Sequence, residues 1–318
     1  MMRRTAHLII FLFALSNASA TESSRLKPVI DGDWQVLYAP VNAGPRVNDH
    51  TIFQDVNGDW RFVGIAARVM RDLTTPYMGH AVGPSLDEPM REMPVVFKSY
   101  PDRRPKWAPH VIAHDDTWHM FVGPGRIRHY ASPDGIEWTF HEVAIHPGWF
   151  PFRDTMVLKM GEDEWLMYCT NRDNTLSVYR SADLYKWEFV QTAFKSIKPG
   201  TAYPRWFNIS AAESPFVIHY EGAYYLSVCL VSLFEPKSYN QTLIIRSDDP
   251  LDFGVYAADS PETTADLVTV LPVHAAEYIH TPDGRWYITT CGWETYPGVE
   301  GMVPGTVLIA PLRWEKVD

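Results

Sequence analysis

The feature that most limits what this chain can fold into is an internal repeat. Five times the sequence runs from a short β-branched or apolar stretch, through an acidic or glycine-bearing turn, into an aromatic residue that opens a second stretch: "HTIFQDVNGDWRFVGIA", "HVIAHDDTWHMFVG", "TMVLKMGEDEWLMYCT", "PFVIHYEGAYYLSVC" and "EYIHTPDGRWYITTCGW". Two apolar runs joined by NGD, DDT or DGR read as a β-hairpin. Three units add a second signal at constant spacing: Ser132-x-Asp134 then Trp138, Ser181-x-Asp183 then Trp187, and Ser247-x-Asp249 then Phe253. Ser and Asp make turns by bonding their own backbone, and the aromatic can anchor an outer strand against a neighbouring sheet. The unit is therefore an antiparallel sheet of about four strands recurring roughly every 45 to 60 residues, as propeller blades do. Five units predict an all-β fold, a five-bladed β-propeller, over residues 34 to 318. No stretch sustains a 3.6-residue apolar period, so helices should be few. A β-sandwich is the alternative, but it does not explain a regular repeat. Residues 21 to 45 belong to no complete unit and are expected to pack along the outside or lend a strand to closure.

Counting eleven residues back from each hairpin aromatic reaches Asp49, Trp107, Asp154, Glu213 and Ala275. The first strand of a propeller blade lines the central channel, so equivalent positions at its start converge on the axis. Taken singly, each of the three acids reads as a solvated strand-end residue. Their shared register argues that they meet. Gathered carboxylates are costly unless protonated or paired with cations, and such a cost persists mainly where chemistry needs it. Arg153, beside Asp154 in "FRDT", can hold that carboxylate ionised or grip sugar hydroxyls. Paired carboxylates, one a general acid and the other a base or nucleophile, are the usual equipment for cleaving glycosidic bonds. Trp107, Trp149, Phe150 and Trp206 lie near strand starts and could stack on sugar faces, although core packing is the commoner role for any one of them.

The leader bears on where such chemistry would happen. "MMRRTAHLIIFLFALSNASA" opens with Arg3 and Arg4, runs through apolar residues and closes on small ones, the pattern of a signal peptide over residues 1 to 20. It predicts a single mature domain, 21 to 318, that is secreted or periplasmic. Loss of Arg3 and Arg4 leaves 26 of the 28 basic residues against 38 acidic ones. A chain that acidic repels phosphate backbones, so nucleic acid and, once the leader is gone, membranes are excluded as expected partners. Cys169, Cys229 and Cys291 form no CxxC, and their odd number rules out a complete disulfide framework. They read as small buried hydrophobes. Asn208 and Asn240 stand in NxS and NxT acceptor sequences, which matter only in a host that glycosylates.

The quoted residues resemble those of the five-bladed propeller glycosidases, glycoside hydrolase families 32 and 43 with their relatives. Asn48 and Asp49 resemble the start of the family 32 "NDPNG" motif, "FRDT" resembles its "RDP", and "ESP" from Glu213 resembles both the "EC" of family 32 and the "EGP" of family 43. "WAPHV" from Trp107 is similar to the family 43 "WAP" segment. The resemblance spans residues 48 to about 314. It implies a glycosidase acting on oligo- or polysaccharides, on fructosides or on arabinofuranosides and xylosides. Asp49 would be nucleophile or general base, Asp154 the transition-state stabiliser and Glu213 the general acid. Arg153 would bind ring hydroxyls. Asn48, Trp107 and Trp206 are further candidate substrate contacts, and His50 and His110 could contact substrate or stand near a metal. No cofactor is implied for the chemistry. A histidine in the fifth blade of family 43 proteins lies near a channel calcium, which marks His274 as a candidate for a structural calcium site. His50, Thr155 and Ser214 depart from the motif residues, and the departures keep open a non-catalytic carbohydrate-binding propeller.

Overall fold

The structure, a computed structural model, describes residues 25–41, 46–67, 74–97, 102–149, 152–197, 210–232, 239–258, 260–291 and 305–317. The leader, Phe150 and Trp206 lie outside the described residues, as does Asn208. Among the described residues the secondary structure is strand and turn, with no helix.

Two short strands, β1 (Leu26–Ile30) and β2 (Gln35–Tyr38), precede the first repeat. Blade one comprises β3 (Arg46–Gln54), β4 (Trp60–Ala67), β5 (Met78–Gly83) and β6 (Arg91–Glu92). Blade two comprises β7 (Trp107–His114), β8 (Thr117–Gly123), β9 (Ile127–Ser132) and β10 (Thr139–Ile145). Blade three follows with β11 (Arg153–Gly161), β12 (Glu164–Asn171), β13 (Thr175–Ser181) and β14 (Glu188–Ile197). Blade four has β15 (Ser210–Tyr220), β16 (Ala223–Ser232), β17 (Thr242–Ser247) and β19 (Asp266–Leu271), while β18 (Val255–Ala257) crosses back to pair in parallel with β14. Blade five is β20 (Tyr278–His280), β21 (Trp286–Thr290) and β22 (Val307–Lys316), and both N-terminal strands pair with β22. The segment before the first repeat thus lends strands to closure. Sealing the last blade with the first strands removes an edge that would otherwise expose unpaired backbone.

The repeated turns do what their residue types dictate. Asp134 Oδ1 accepts the backbone N–H of Ile136 and Glu137 at 2.8 and 3.0 Å. Asp183 Oδ1 does the same for Tyr185 and Lys186, both at 2.8 Å, and Asp249 Oδ1 for Leu251 at 2.8 Å. Each turn presents its aromatic to the preceding blade: Trp138 meets Phe53 edge-on, Trp187 meets Phe121, and Phe253 meets Tyr168. Five apolar cores result, one between each pair of adjacent blades. Phe53, Met120 and Tyr130 fill the first, and Phe121, Phe152 and Trp165 the second. Tyr168, Leu226 and Phe253 fill the third, Tyr225 and Ile288 the fourth, and Phe62 and Ile309 close the ring. A fully buried side chain of this size stabilises by about 1.5–3 kcal/mol, so the interfaces between sheets rather than the sheets alone hold the ring together. Cys169, Cys229 and Cys291 are buried and unbridged.

Candidate functional site

Near its start, the inner strand of blades one to four loses regular pairing. Register shifts fall between Asn48 and His50, Trp107 and His110, Arg153 and Thr155, and Glu213 and Phe216. Such β-bulges carry extra residues that leave the ladder and re-aim their side chains. Ala108, Asp154, Ser214 and Ala275 adopt φ of 42°, 51°, 51° and 47°, in the left-handed region that L-residues avoid. Conformations of this kind cost of order 1–3 kcal/mol each and are kept only where surrounding packing imposes them. Asp49 occupies the matching bulge of blade one.

These positions correct the register read from the aromatics. The strand partners of Trp60, Trp118, Trp165, Tyr224 and Trp286 are Gln54, Ala113, Lys159, His219 and His280, which lie five residues after Asp49, Ala108, Asp154, Ser214 and Ala275. Counting eleven from the aromatic lands one residue early in blades two and four, on Trp107 and Glu213. The cause is the span between each aromatic and its partner. Blades two and four close it with two-residue turns alone, Asp115–Asp116 and Glu221–Gly222, all four residues with positive φ as a type I′ turn requires, whereas blade three adds a bulged residue between Lys159 and Gly161 to a turn of the same length.

Two stacked rings follow. The bulge ring holds Asp49, Ala108, Asp154, Ser214 and Ala275, and the ring one residue earlier holds Asn48, Trp107, Arg153, Glu213 and His274. A cleft open to solvent lies over the bulge ring and takes residues from all five blades: Asp49 and His50, Ala108 and Pro109, Asp154 and Thr155, Ser214 and Pro215, and Ala275 to Glu277. Sequence-distant acids meet there. Arg153 places Nη2 2.6 Å from Glu213 Oε2 and Nε 3.2 Å from Asp154 Oδ2. Ser214 donates its hydroxyl to Asp49 Oδ1 at 2.6 Å and its backbone N–H to Asp154 Oδ2 at 3.3 Å. Asn48 Nδ2 donates to Asp49 Oδ2 at 3.2 Å. The serine that departs from both family motifs is the residue that ties two carboxylates together.

Burial dominates the electrostatics. It pushes the Asp49 carboxyl above its ordinary range, Glu213 adds to the rise, and the Ser214 hydroxyl and Arg153 oppose it. Asp154 also rises, through burial and the charges of Asp49 and Glu213, against the pull of Arg153. Arg153 stays cationic: burial works against its charge, but Asp154, Glu213 and Asp49 outweigh it. Glu277 is a fourth carboxyl on the cleft wall, held well above its usual value by burial and then by Asp49. The eleven-residue count passed over Glu277 to stop at Ala275. An acid opening the otherwise apolar strand "EYIH" is the signal that marks it.

The remaining candidates separate. His50 lines the cleft, yet its Nδ1 lies 3.2 Å from Cys291 Sγ and its Nε2 2.7 Å from Thr289 Oγ1, and burial lowers its pKa to about 3. It is a neutral strut. His110 is buried edge-on to Phe216 and off the cleft wall. Trp107 is half-buried in the earlier ring. Trp149 packs under the guanidinium of Arg172 at 4.6 Å and donates to Asn171 Oδ1. His274 is buried, with Nδ1 2.9 Å from the Tyr239 carbonyl and its ring stacked on Tyr239. Burial opposes its protonation, but the Cys229 thiol, Glu213 and that carbonyl carry its pKa above the usual value.

No protein-family model matches the chain, and no curated protein matches it in sequence. Solved structures do. A thermostable family-43 glycoside hydrolase is 15% identical with a TM-score of 0.55, covering 85% of this chain and 89% of its own. An exo-1,5-α-L-arabinanase from a bovine ruminal metagenomic library is 16% identical with a TM-score of 0.60, covering 85% and 94%. A β-xylosidase is 15% identical with a TM-score of 0.58, covering 88% and 95%. At these identities the likeness is one of fold: the chain is a five-bladed β-propeller of the architecture it shares with a family-43 glycoside hydrolase, an arabinanase and a β-xylosidase.

Proposed function

We propose that the protein is an exported glycoside hydrolase cleaving arabinofuranosides or xylosides, with the axial cleft as its active site. The observation that carries the reading is the joining of Asp49, Asp154 and Glu213, from three different blades, through Arg153 and Ser214, with Asp49 and Asp154 on the cleft wall and Glu213 next in sequence to Ser214, which lines it. The fold likeness to an arabinanase and a β-xylosidase supports these sugars over fructosides. In this reading Glu213 protonates the leaving-group oxygen and Asp49 activates the attacking water, or attacks directly in a covalent mechanism. Asp154 positions Arg153 and stabilises positive charge developing at the anomeric carbon. Glu277, whose carboxyl burial and then Asp49 bias toward the protonated form, lies on the cleft wall within reach of a sugar hydroxyl. The chemistry uses carboxylates and needs no cofactor. A channel calcium at His274 would require that ring to release the Tyr239 carbonyl or the Cys229 thiol.

One observation favours the second reading, a carbohydrate-binding propeller without turnover: Glu213 Oε2 is engaged by Arg153 rather than facing the cleft. Assay of the purified chain on aryl arabinofuranosides and xylosides, with Glu213→Gln and Asp49→Asn beside the parent, separates the two. Glu213→Gln should lower turnover by about 10²–10⁴-fold on substrates with poor leaving groups while leaving binding intact. Oligosaccharide binding with no turnover by the parent would establish the binding module instead.

A further inference from the structure

A group of titratable side chains off the cleft wall plays no part in this chemistry. On the outer half of blade two, β9 pairs with β10, and the register slips between Phe140 and Glu142. His141 is the extra residue of that bulge. Two neighbours on β10 therefore face one partner, because Glu142 pairs with His129 and His141 sits beside it. Alternation would otherwise send His141 and Glu142 to opposite faces of the sheet. Instead one donor atom from each of His129, His141 and Glu142 lies within 4.8 Å of the other two.

The innermost of the three has an unanswered valence. His129 is 0% exposed, its Nε2 lies 2.9 Å from Nδ1 of His119, and its own Nδ1 is buried without a hydrogen-bond partner. A buried polar atom left unpaired costs about 1–3 kcal/mol, and such atoms call for an explanation such as an ion. If His129 donates its Nε2 proton to His119, Nδ1 is left with a bare lone pair, free to join His141 and Glu142 on a shared ion. Metal-binding histidines are oriented in this way, with the second nitrogen hydrogen-bonded to an outer partner that fixes the tautomer. Tyr185, from the turn of blade three, roofs the group with its ring 5.1 Å from that of His129 and 4.7 Å from that of His141.

We propose that this bulge is a binding site for one divalent cation of the zinc class, held by Nδ1 of His129, the imidazole of His141 and the carboxylate of Glu142. Two imidazoles and one carboxylate match borderline zinc, which takes three protein ligands and a water in open sites, whereas calcium and magnesium select oxygen donors. Ligand atoms bonded at about 2.0–2.1 Å in a tetrahedron stand roughly 3.4 Å apart, so the set must draw in by about 1 Å. His141 and Glu142 have the freedom to do this, their side chains being 48% and 42% exposed. The cation would clamp β9 to β10 beneath Tyr185 and tighten the contact between blades two and three. It would be independent of turnover at the axial cleft.

The test is Zn²⁺ titration of the tag-free, metal-stripped mature chain by calorimetry, with thermal unfolding at each Zn²⁺ level. One equivalent should bind and raise Tm, because a ligand that binds the folded state alone stabilises it. His141→Ala and Glu142→Gln, both at partly exposed positions, should each weaken Zn²⁺ at least tenfold and remove the Tm shift, while their metal-free Tm stays near the parent value. Zn²⁺ should also protect His141 from acylation by diethylpyrocarbonate, a reading that needs no variant. Absence of saturable binding at 1 mM Zn²⁺, binding unchanged in both variants, or unprotected His141 would each overturn the proposal.

Discussion

Blades two and three open their inner strands with the same backbone device and opposite chemistry. Each bulges at the axis with a left-handed residue, Ala108 at φ 42° and Asp154 at φ 51°, preceded by Trp107 in one and Arg153 in the other. The shared part turns a side chain toward the axis and belongs to the fold. What differs is a methyl group against a carboxylate with its own counter-ion. The architecture therefore sets where five side chains meet, and only a few of those places carry reactive groups. Function sits on the fold rather than following from it.

The sharpest way to test this is to make blade three resemble blade two. Asp154→Ala should lower kcat on aryl glycosides by about 10²–10⁴-fold with the fold retained, as far-ultraviolet circular dichroism would show. Retained activity would mean the two blades are equivalent after all. Arg153→Met should cost about 3–5 kcal/mol, because Asp154 and Glu213 lose a cation that contacts both. Urea unfolding measures it. The loss should be smaller at pH 5 than at pH 8, since protonation relieves carboxylates left without a partner.

A smaller effect follows from pH alone. Asp49 and Asp154 have native pKa values raised to about 6 and about 7, against about 3.9 when unfolded, so the native state binds the extra protons. Their contribution to stability is complete below about pH 4 and is lost as pH rises through the raised values. Tm should fall between pH 5 and pH 8, and Asp154→Asn should flatten that fall. An unchanged slope in the variant would detach Asp154 from it. Least in size, Ala108→Gly should stabilise blade two by about 1 kcal/mol, since glycine accepts positive φ without strain. Activity should not change, and a loss would show that the Ala108 methyl shapes the cleft.

Much of the site is legible in the sequence because the repeat carries its own ruler. The aromatic at each hairpin and the constant turn spacing locate Asp49 and Asp154 at the axis, and bring Glu213 to within one residue of its ring. The miss at Glu213 arises because the span from His219 to its partner Tyr224 is one residue shorter than that from Lys159 to Trp165, where a bulge adds a residue. An offset of this kind cannot be counted from an aromatic without knowing which residue pairs with it. Glu277 was missed for a related reason: at the opening of blade five, three consecutive residues reach the cleft.

By itself the sequence determines the five-blade count, the all-β class, the turn chemistry and the gathering of acids toward one axis. These depend on local properties, the alternation of apolar residues and the bonding of Ser and Asp to nearby backbone, repeated often enough to be read. Only the tertiary structure decides that Ser214 links Asp49 to Asp154, that Arg153 bridges Asp154 and Glu213, and that His129 meets His141 and Glu142 across a bulge. The first joins residues 60 and 165 positions apart, the second carries Arg153 across 60 positions to Glu213, and the third depends on one slipped residue in a strand pair. Pairing register and blade closure fix which side chains meet, and both are settled by packing over the whole ring rather than by any short stretch of chain.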